Sequence, residues 1–287
     1  MNNIKYFIQY IFLILLFFIY KLIGLKYSRK LSALIFRKIG PFFRSSNLAH
    51  SNLTNALPQT KYLEREKILK SMWSNYGKIL AEYVFLKDFR NRKKFSKDIK
   101  IENVDVLEKI KLSSKPVIFV SGHFNNFELM AMQIDKFGIN LSAIYRPLNN
   151  KYLNPLMEKI RKNYICSSQI KKGISGTKEL LRKFRSGSSV ALMIDQRVSE
   201  GSRSSFFNKK ASTTTIPAQF VKKFNADIVP VYIKRTANDE FILQFYNPIK
   251  FSSQETVEAI TLELNSILEK MILEKPEQWI WTHNRWK

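Results

Sequence analysis

The most hydrophobic part of the chain is its N-terminus. Residues 6–20 read YFIQYIFLILLFFIY, and the apolar character continues to residue 25. About 20 residues of this kind suffice for a helix to cross the hydrocarbon core of a bilayer. Lys5 and Lys21 stand where their amines can reach the polar interface. The pattern predicts an N-terminal membrane anchor over residues 1–25, which either spans the bilayer or lies in its interface.

The flanks of this segment favour an anchor over a cleaved signal peptide, whose apolar region is usually shorter and ends in small residues. Cations are far more frequent after the segment than before it, which places the bulk of the protein in the cytoplasm. Residues 32–43 (SALIFRKIGPFF) predict either an interfacial helix or an ordinary amphipathic core helix. Gly40 and Pro41 are expected to end that helix.

Beyond residue 60, helical and strand-like patterns alternate. Apolar runs bounded by polar or turn-forming residues predict strands, and apolar positions spaced three or four apart predict helices. The predicted strands are 115–121, 141–145, 189–194, 227–234 and 241–245. The predicted helices are 61–91, 127–137, 152–163, 176–185, 216–224 and 256–274. This alternation predicts an α/β fold over residues 26–287, with a mostly parallel central sheet flanked by helices and a terminal hairpin added to it.

Charge and cysteine content narrow the function. The 287 residues include 48 Lys and Arg against 23 Asp and Glu, a formal charge of +25. Such a field attracts polyanions, although drift in a lysine-rich composition explains part of the excess equally well. The single cysteine, Cys166, excludes an internal disulfide, and no Cys/His cluster predicts a metal site. No motif for binding nucleic acid is present.

The segment VIFVSGHFNNFE, residues 117–128, carries the candidate chemistry. His123 follows a predicted strand, and Glu128 comes five residues later. An imidazole whose tautomer is fixed by a carboxylate is a general base at neutral pH. The alternative is structural, since Asn125 and Glu128 have the spacing of a capping box at a helix start.

Several segments together resemble the late acyltransferases of lipid A biosynthesis, a branch of the glycerolipid acyltransferases. The His-x4-Glu spacing is shared by many acyltransferases, and the C-terminal Trp-x-Trp-x-His-x-Arg-Trp pattern is more specific to this branch. Asn208 stands where the family usually has glycine. The matching segments are Asn52–Pro58, Gly122–Glu128, Tyr145–Asn149 with Arg161, Asp195–Gln196, Phe206–Phe207, Thr213–Pro217 and Pro276–Trp286.

The resemblance implies a glycerolipid acyltransferase-like fold at the bacterial inner membrane. It implies transfer of a fatty acyl chain from acyl carrier protein to a 3-hydroxyacyl group of a Kdo-bearing lipid A precursor. His123 would be the base and Glu128 would orient it, without an acyl-enzyme, a metal or a cofactor. Membrane lipids would be further partners. The alternatives are an enzyme that acylates another lipid, such as a lysophospholipid, and a non-catalytic protein that binds anionic lipid.

Four further residues are candidates for substrate binding. Arg146 and Arg161 can contact phosphate or an oxyanion, and Asp195 and Gln196 lie at a predicted strand end. Asp195 is expected to orient one of these arginines or a sugar hydroxyl. Surface solvation or turn capping is the plain alternative for each of the four residues.

The C-terminal tail carries three tryptophans that alternate with polar residues. Trp279 and Trp281 are expected to pack against the domain, and Arg285 is a candidate for contact with lipid phosphate. The pattern leaves the role of His283 open.

Overall fold

A computed structural model describes residues 2–92, 95 and 97–287. Its first element, α1 (Asn2–Phe43), has 42 residues and is kinked at Gly24, whose φ of 76° is not helical. Within the described residues, α1 is the one helix long and apolar enough to cross a membrane. The predicted end at Gly40–Pro41 is wrong, because α1 continues through Pro41. The kink lies beside the predicted boundary between an anchor (1–25) and the rest of the chain.

The part of α1 before the kink presents an apolar surface and contacts the remaining protein near its two ends. The Asn150 side chain donates to the Tyr6 carbonyl oxygen at 2.9 Å, and the Lys21 amine pairs with Asp88 at 2.7 Å. Exposed apolar surface of this extent is typical of a face that meets lipid. The exposed side chains are Ile4, Phe7, Ile8, Ile11, Phe12, Leu15, Phe18, Ile19 and Leu22.

The part of α1 after the kink packs against α3 (Tyr62–Tyr83). A β-carbon at Gly77 would lie 2.3 Å from the Ser32 carbonyl oxygen, so glycine permits this close approach. Ser32 is buried, whereas Leu34 and Phe42 on the same helix are exposed. Residues 32–43 therefore have buried positions, as predicted for a core helix, and exposed apolar positions; an interfacial role for the latter stays a prediction.

Seven strands form the central sheet. Their order is β1-β9-β8-β2-β5-β3-β4, and all neighbours are parallel except β8 and β9. The predicted terminal hairpin, β8–β9, is confirmed. The strands are β1 (Ile99–Glu102), β2 (Ile118–Ser121), β3 (Leu141–Tyr145), β4 (Ser168–Lys171), β5 (Ser189–Met193), β8 (Ile228–Arg235) and β9 (Phe241–Phe245). A separate antiparallel hairpin is made by β6 (Ser202–Phe206) and β7 (Lys209–Thr213).

Helices flank this sheet, as expected for an α/β fold. They are α2 (Ser46–Ala56), α4 (Leu86–Asn91), α5 (Val104–Ser113), α6 (Glu128–Lys136), α7 (Leu153–Tyr164), α8 (Ile174–Arg185), α9 (Ile216–Phe224), α10 (Val257–Glu274) and a 3-10 turn (Pro276–Gln278). The predicted elements between residues 115 and 274 are confirmed, with small shifts at their ends. The predicted helix 61–91 is interrupted after Tyr83.

The sequence patterns missed β1, α5, β4 and the β6–β7 hairpin. The strand β4 reads SQIK, and β6 reads SRSSF. Each has few apolar residues, so neither produces a clear alternating pattern. These strands form because neighbouring elements supply hydrogen bonds and apolar cover that a local pattern does not contain.

A buried ionic cluster joins α1, α3 and the end of β8. The Glu82 carboxylate is fully buried and accepts from Arg29 Nε at 2.7 Å and from Arg235 at 2.6 Å. Asn126, in the turn after β2, donates to the same carboxylate at 3.1 Å. Burial would raise the pKa of Glu82, but Arg235 and Arg29 outweigh it and lower the pKa.

Replacing Glu82 by alanine should destabilise the fold strongly, because Arg29 would stay buried without a counter-charge. Arg235 would keep only the carboxylate of Asp239, at 3.9 Å. Loss of one partner from a buried ion pair costs about 3–5 kcal/mol. Chemical unfolding in detergent solution measures the change. Glu66→Ala is the matched control, since its half-exposed pair with His50 should contribute less than about 1 kcal/mol. Equal losses in the two variants would contradict a structural role for the cluster.

Candidate active site

His123 lies in the turn that connects β2 to α6. The strand β2 is buried along its whole length and ends at Ser121. A β-carbon at Gly122 would lie 2.9 Å from the Phe124 ring and 3.3 Å from the Asp195 side chain, so glycine lets the turn close against Asp195. The His123 ring packs edge-on against Phe127. Its side chain keeps 21% of its surface exposed, which leaves the ring accessible to a substrate.

Asp195 is the carboxylate that holds this imidazole. Its Oδ1 lies 2.7 Å from His123 Nδ1, and its Oδ2 accepts from the His123 backbone N–H at 2.8 Å. The Trp279 indole also donates to Oδ2 at 2.8 Å. Asp195 is fully buried. Its carboxylate fixes both the tautomer and the orientation of the ring, and leaves Nε2 as the free basic atom.

The charge of Asp195 is maintained despite its burial. Burial raises its pKa, but the nearby His123 ring, the hydrogen bonds from His123 and the Trp279 indole lower the pKa to about 2. The group is therefore a carboxylate at every physiological pH. A charged, immobile acceptor behind the imidazole stabilises the imidazolium that forms when Nε2 takes up a proton.

The predicted hydrogen bond between Glu128 and the imidazole is wrong. Glu128 Oε1 accepts from Arg161 Nε at 2.8 Å and from the Tyr83 hydroxyl at 2.5 Å, while Asp195 occupies His123 Nδ1. Glu128 is the first residue of α6 and contacts residues from α3 and α7. The hydrogen-bond partner of His123 is therefore Asp195, which is distant in sequence, and not Glu128.

The capping box predicted for Asn125 and Glu128 is also wrong. The helix α6 begins at Glu128, and its N-cap residue makes no side-chain cap. Asn125 instead adopts a left-handed φ of 42°, and its amide donates to Gln278 Oε1 at 2.5 Å and to the Ile233 carbonyl oxygen. This amide links the turn that carries His123 to β8 and to the C-terminal 3-10 turn.

Arg161 belongs to a second polar group, which it forms with Glu128 and Tyr83. Burial opposes its charge, but the Glu128 carboxylate dominates and raises the pKa of Arg161. Burial and the same carboxylate raise the pKa of Tyr83, which remains a donor. Glu128 therefore holds the Arg161 cation, instead of contacting His123 itself.

The remaining predicted residues differ in their placement. Arg146 is exposed and lines the cleft. Gln196 Nε2 lies 3.5 Å from His123 Nε2, at the atom where proton transfer would occur. The predicted contact of Asp195 with substrate or with an arginine is corrected, because its buried oxygens are used by His123 and Trp279.

These side chains surround a cleft of about 960 Å³. His123, Arg161 and Gln196 form a polar part of the wall, and Arg44, Arg146, Lys172 and Lys178 add cations. The apolar part of the wall includes Phe127, Ala131, Ile144, Ile165, Met193 and Ile216. A cleft with an apolar wall and convergent polar groups suits a ligand that has a hydrocarbon chain and an anionic head.

The C-terminal tail contributes to this site mainly through packing. Trp279 and Trp281 are buried, as predicted. The predicted contact of Arg285 with lipid is wrong, since its guanidinium is fully buried and donates to the Ser212 carbonyl oxygen and to Thr213 Oγ1. Burial lowers the pKa of Arg285 to about 10. Arg285 thereby anchors the β6–β7 hairpin.

Neither a metal site nor a cysteine nucleophile is supported by the described residues. They contain no group of three or more His, Cys, Asp or Glu side chains placed to hold a metal ion. Cys166 is buried, and burial raises the pKa of its thiol to about 12. A thiol that stays protonated is a poor nucleophile.

The chain is similar over residues 1–287 to the family described as bacterial lipid A biosynthesis acyltransferase. It is 27% identical over 255 residues to the lipid A biosynthesis palmitoleoyltransferase of Escherichia coli, covering 86% of this chain and 80% of that protein. It is 25% identical over 252 residues to the lauroyltransferase of the same organism, covering 85% and 79%.

Among solved structures, the fold is similar to the 1-acyl-sn-glycerophosphate acyltransferase PlsC of Thermotoga maritima. The TM-score is 0.41 and the sequence identity 15%, with 90% of this chain and 100% of that chain covered.

Proposed function

The chain belongs to the bacterial lipid A biosynthesis acyltransferase family, and from that premise we propose its donor, acceptor and mechanism. The donor is an acyl carrier protein loaded with a fatty acid as a thioester. The acceptor is a hydroxyl of a 3-hydroxyacyl chain on a Kdo-bearing lipid A precursor. The single observation that carries the mechanism is the 2.7 Å contact between His123 Nδ1 and the buried Asp195 carboxylate, beside a cleft with an apolar wall.

In this mechanism, His123 Nε2 removes the proton from the acceptor hydroxyl as its oxygen attacks the thioester carbonyl carbon. The carbonyl electron pair moves onto oxygen and gives a tetrahedral intermediate. Collapse of this intermediate restores the carbonyl and breaks the C–S bond, and the proton on Nε2 passes to the departing sulfur. No acyl-enzyme and no cofactor are needed. Asp195 keeps Nδ1 protonated and supports the positive charge on the ring throughout.

The cleft suits both ends of the proposed substrates. Its apolar wall can take an acyl chain out of water, at about 0.8 kcal/mol for each buried CH₂. Arg146 and Lys172 lie in the cleft without a side-chain hydrogen bond or ion pair among the described residues, so they are available to the phosphates of the acceptor. Acyl carrier proteins are acidic, and the formal charge of +25 favours their approach.

We further propose that the enzyme acts at the cytoplasmic face of the inner membrane. The apolar half of α1 is the anchor, and the cations that follow it favour retention of the domain in the cytoplasm. Both proposed substrates then meet at one surface, since the acceptor is a lipid and the donor is a soluble protein.

Glu128→Gln should reduce transfer moderately, by roughly 10-fold to 10²-fold, because it removes the charge that positions Arg161 in the cleft. Steady-state kinetics with the lipid acceptor would measure the change. Arg161→Gln is the matched variant and should lose a similar factor, and the double variant should lose little more than either one. Independent losses that multiply in the double variant would contradict a joint role.

A direct assay tests the proposed activity. Purified protein is incubated with labelled acyl–acyl carrier protein and an under-acylated Kdo-bearing lipid A precursor, with a lysophospholipid as the competing acceptor. Transfer to the precursor that is lost in His123→Ala is the expected result. Transfer to the lysophospholipid alone would assign another acceptor, and binding of anionic lipid without turnover by folded protein would contradict the enzymatic proposal.

A further inference from the structure

His283 is a second histidine in the same cleft, and the mechanism above does not use it. It lines the cleft together with His123. Gln196 contacts the His123 ring, and the backbone N–H of Arg197 contacts the His283 ring. Because consecutive residues contact the two rings, the imidazoles lie close to each other across the cleft.

The hydrogen bond with Arg197 determines the tautomer of His283. Nε2 lies 2.9 Å from the Arg197 backbone nitrogen, which can only donate. Nε2 is therefore unprotonated. Burial is the main cause that lowers the pKa of His283 to about 4; His123, Arg285 and Lys172 also lower it, and Asp195 opposes them. A neutral ring with a bare Nε2 carries its one proton on Nδ1.

The backbone of His283 is also held by hydrogen bonds. The buried Asn52 side chain on α2 donates to the carbonyl oxygens of Trp281 at 2.8 Å and of His283 at 2.6 Å. Within the described part of the chain, Nδ1 of His283 has no hydrogen-bond partner. Hydrogen bonds thus hold both the ring and the backbone of His283, and the tail presents the Nδ1–H group on the wall of the cleft.

We propose that His283 Nδ1–H donates a hydrogen bond to the carbonyl oxygen of the reacting acyl thioester, and that Asn52 is its positioning residue. This inference rests on the proposed acyl transfer. When the acceptor oxygen bonds to the carbonyl carbon, the electron pair of the C=O double bond moves onto the carbonyl oxygen. The His283 N–H stabilises this oxyanion until the C–S bond breaks and the carbonyl re-forms. Removal of one such donor typically costs about 10²–10³-fold in kcat.

The chemistry of the cleft favours the carbonyl oxygen over a phosphate as the partner of this N–H. The cleft already offers cations for phosphate at Arg146 and Lys172, and a charged donor binds phosphate more strongly than a neutral one. A neutral donor that does not titrate near pH 7 stabilises a transient oxyanion without giving up its proton. His123 performs the proton transfer, so the two rings have separate tasks.

Kinetics of His283→Phe give the first test, since phenylalanine keeps the ring and removes both nitrogens. We expect kcat to fall about 10²–10³-fold, with little change in KM for either substrate. His50→Phe, in which a surface histidine is replaced, is the control and should keep its activity. Unchanged kcat would overturn the inference. A raised KM for the lipid acceptor with normal kcat would place the N–H on the acceptor instead, and would also overturn it.

Nuclear magnetic resonance of the wild-type chain gives a second test that does not depend on a variant folding. The chain has three histidines, so ¹⁵N-histidine signals can be assigned with few variants. We expect His283 to carry its proton on Nδ1 from about pH 6 to about pH 8, although a free histidine, whose pKa is about 6.5, titrates in this range. An Nε2-protonated or titrating His283 would overturn the assignment.

Two donor analogues complete the experiment. An acyl-pantetheine amide, which keeps the carbonyl, should shift the Nδ1–H proton downfield, and a thioether analogue that has CH₂ in place of the carbonyl should not. Equal shifts with both analogues would contradict the carbonyl contact. If wild-type protein transfers no acyl chain, the proposed function fails; if it transfers normally and His283→Phe does too, only this inference fails.

Discussion

His123→Ala should abolish acyl transfer, with a loss of about 10⁴-fold, at the upper end of what a positioned acid–base group contributes. The variant keeps the cleft and the cations but has no group that can accept the proton of the acceptor hydroxyl. Initial rates with acyl–acyl carrier protein and the lipid acceptor measure the loss.

The same variant should remain bound to membranes, because the apolar surface of α1 lies outside the catalytic turn. Membrane flotation therefore shows that the anchor is intact, and chemical unfolding in detergent solution is the control for correct folding. Activity within about 10-fold of wild type, a loss too small for an acid–base group, would contradict the assignment of His123 as the base.

Asp195→Asn should be nearly as damaging, with a loss of about 10³–10⁴-fold. Asn offers an N–H₂ group in place of an oxygen toward His123 Nδ1, which favours the tautomer with the proton on Nε2. A ring in that state cannot accept the proton of the acceptor. The equivalent replacement in a serine protease triad costs about 10⁴-fold in kcat.

Comparison with Glu128 makes this prediction specific. Glu128→Gln is the matched change at the carboxylate that lies five residues after His123. Its expected loss is smaller because Glu128 acts through Arg161. A double variant His123→Ala/Asp195→Asn should be no worse than His123→Ala alone, since the two residues act as one unit. A larger loss for Glu128→Gln than for Asp195→Asn would contradict the His123–Asp195 pair.

Asp195 also gives the fold a defined dependence on pH. Its pKa in the folded protein, about 2, is below the usual value of about 3.9 for an unfolded chain. The resulting stabilisation is present above pH 4 and is lost as the pH falls toward 2. The acid limb of any activity profile near neutral pH therefore does not come from Asp195.

Much of the fold could be predicted from local patterns. The strands β3 and β9 and the helix α9 begin and end where the apolar pattern predicts. Most of their apolar positions are buried, and others, such as Ile144 and Ile216, line the cleft, so the apolar pattern still marks each element. Short polar strands such as β4 escaped prediction because their stability comes from their neighbours.

At the candidate site, the partner of His123 depends on contacts between strands that are distant in sequence. His123 and its position after a strand were found from the sequence, but its partner was not. Ser121 in β2 pairs with Met193 in β5, so two residues further along each strand direction His123 meets Asp195. That register requires knowing that β2 and β5 are neighbours, which no local pattern contains. The sequence does place a carboxylate, Asp195, at the end of β5, but it predicts a contact of this carboxylate with an arginine or a sugar hydroxyl instead of with His123.

The role of His283 cannot be predicted from the sequence for a similar reason. Its ring contacts Arg197, and Asn52 on α2 holds its backbone. The Asn52 motif and the tail motif are separated by most of the chain, and their relation became clear only from the packing. The two motifs are far apart in the sequence but in contact in the structure.

Mass spectrometry of lipid A shows whether the His123–Asp195 pair carries acyl transfer in cells. A host strain that lacks its own late acyltransferases would express the wild-type chain, Asp195→Asn or Glu128→Gln at matched levels. The wild type should add the mass of one fatty acyl chain to the lipid A precursor, Asp195→Asn should leave the precursor unmodified, and Glu128→Gln should give partial addition. An unmodified precursor with well-expressed wild-type protein, or full addition by Asp195→Asn, would contradict the account.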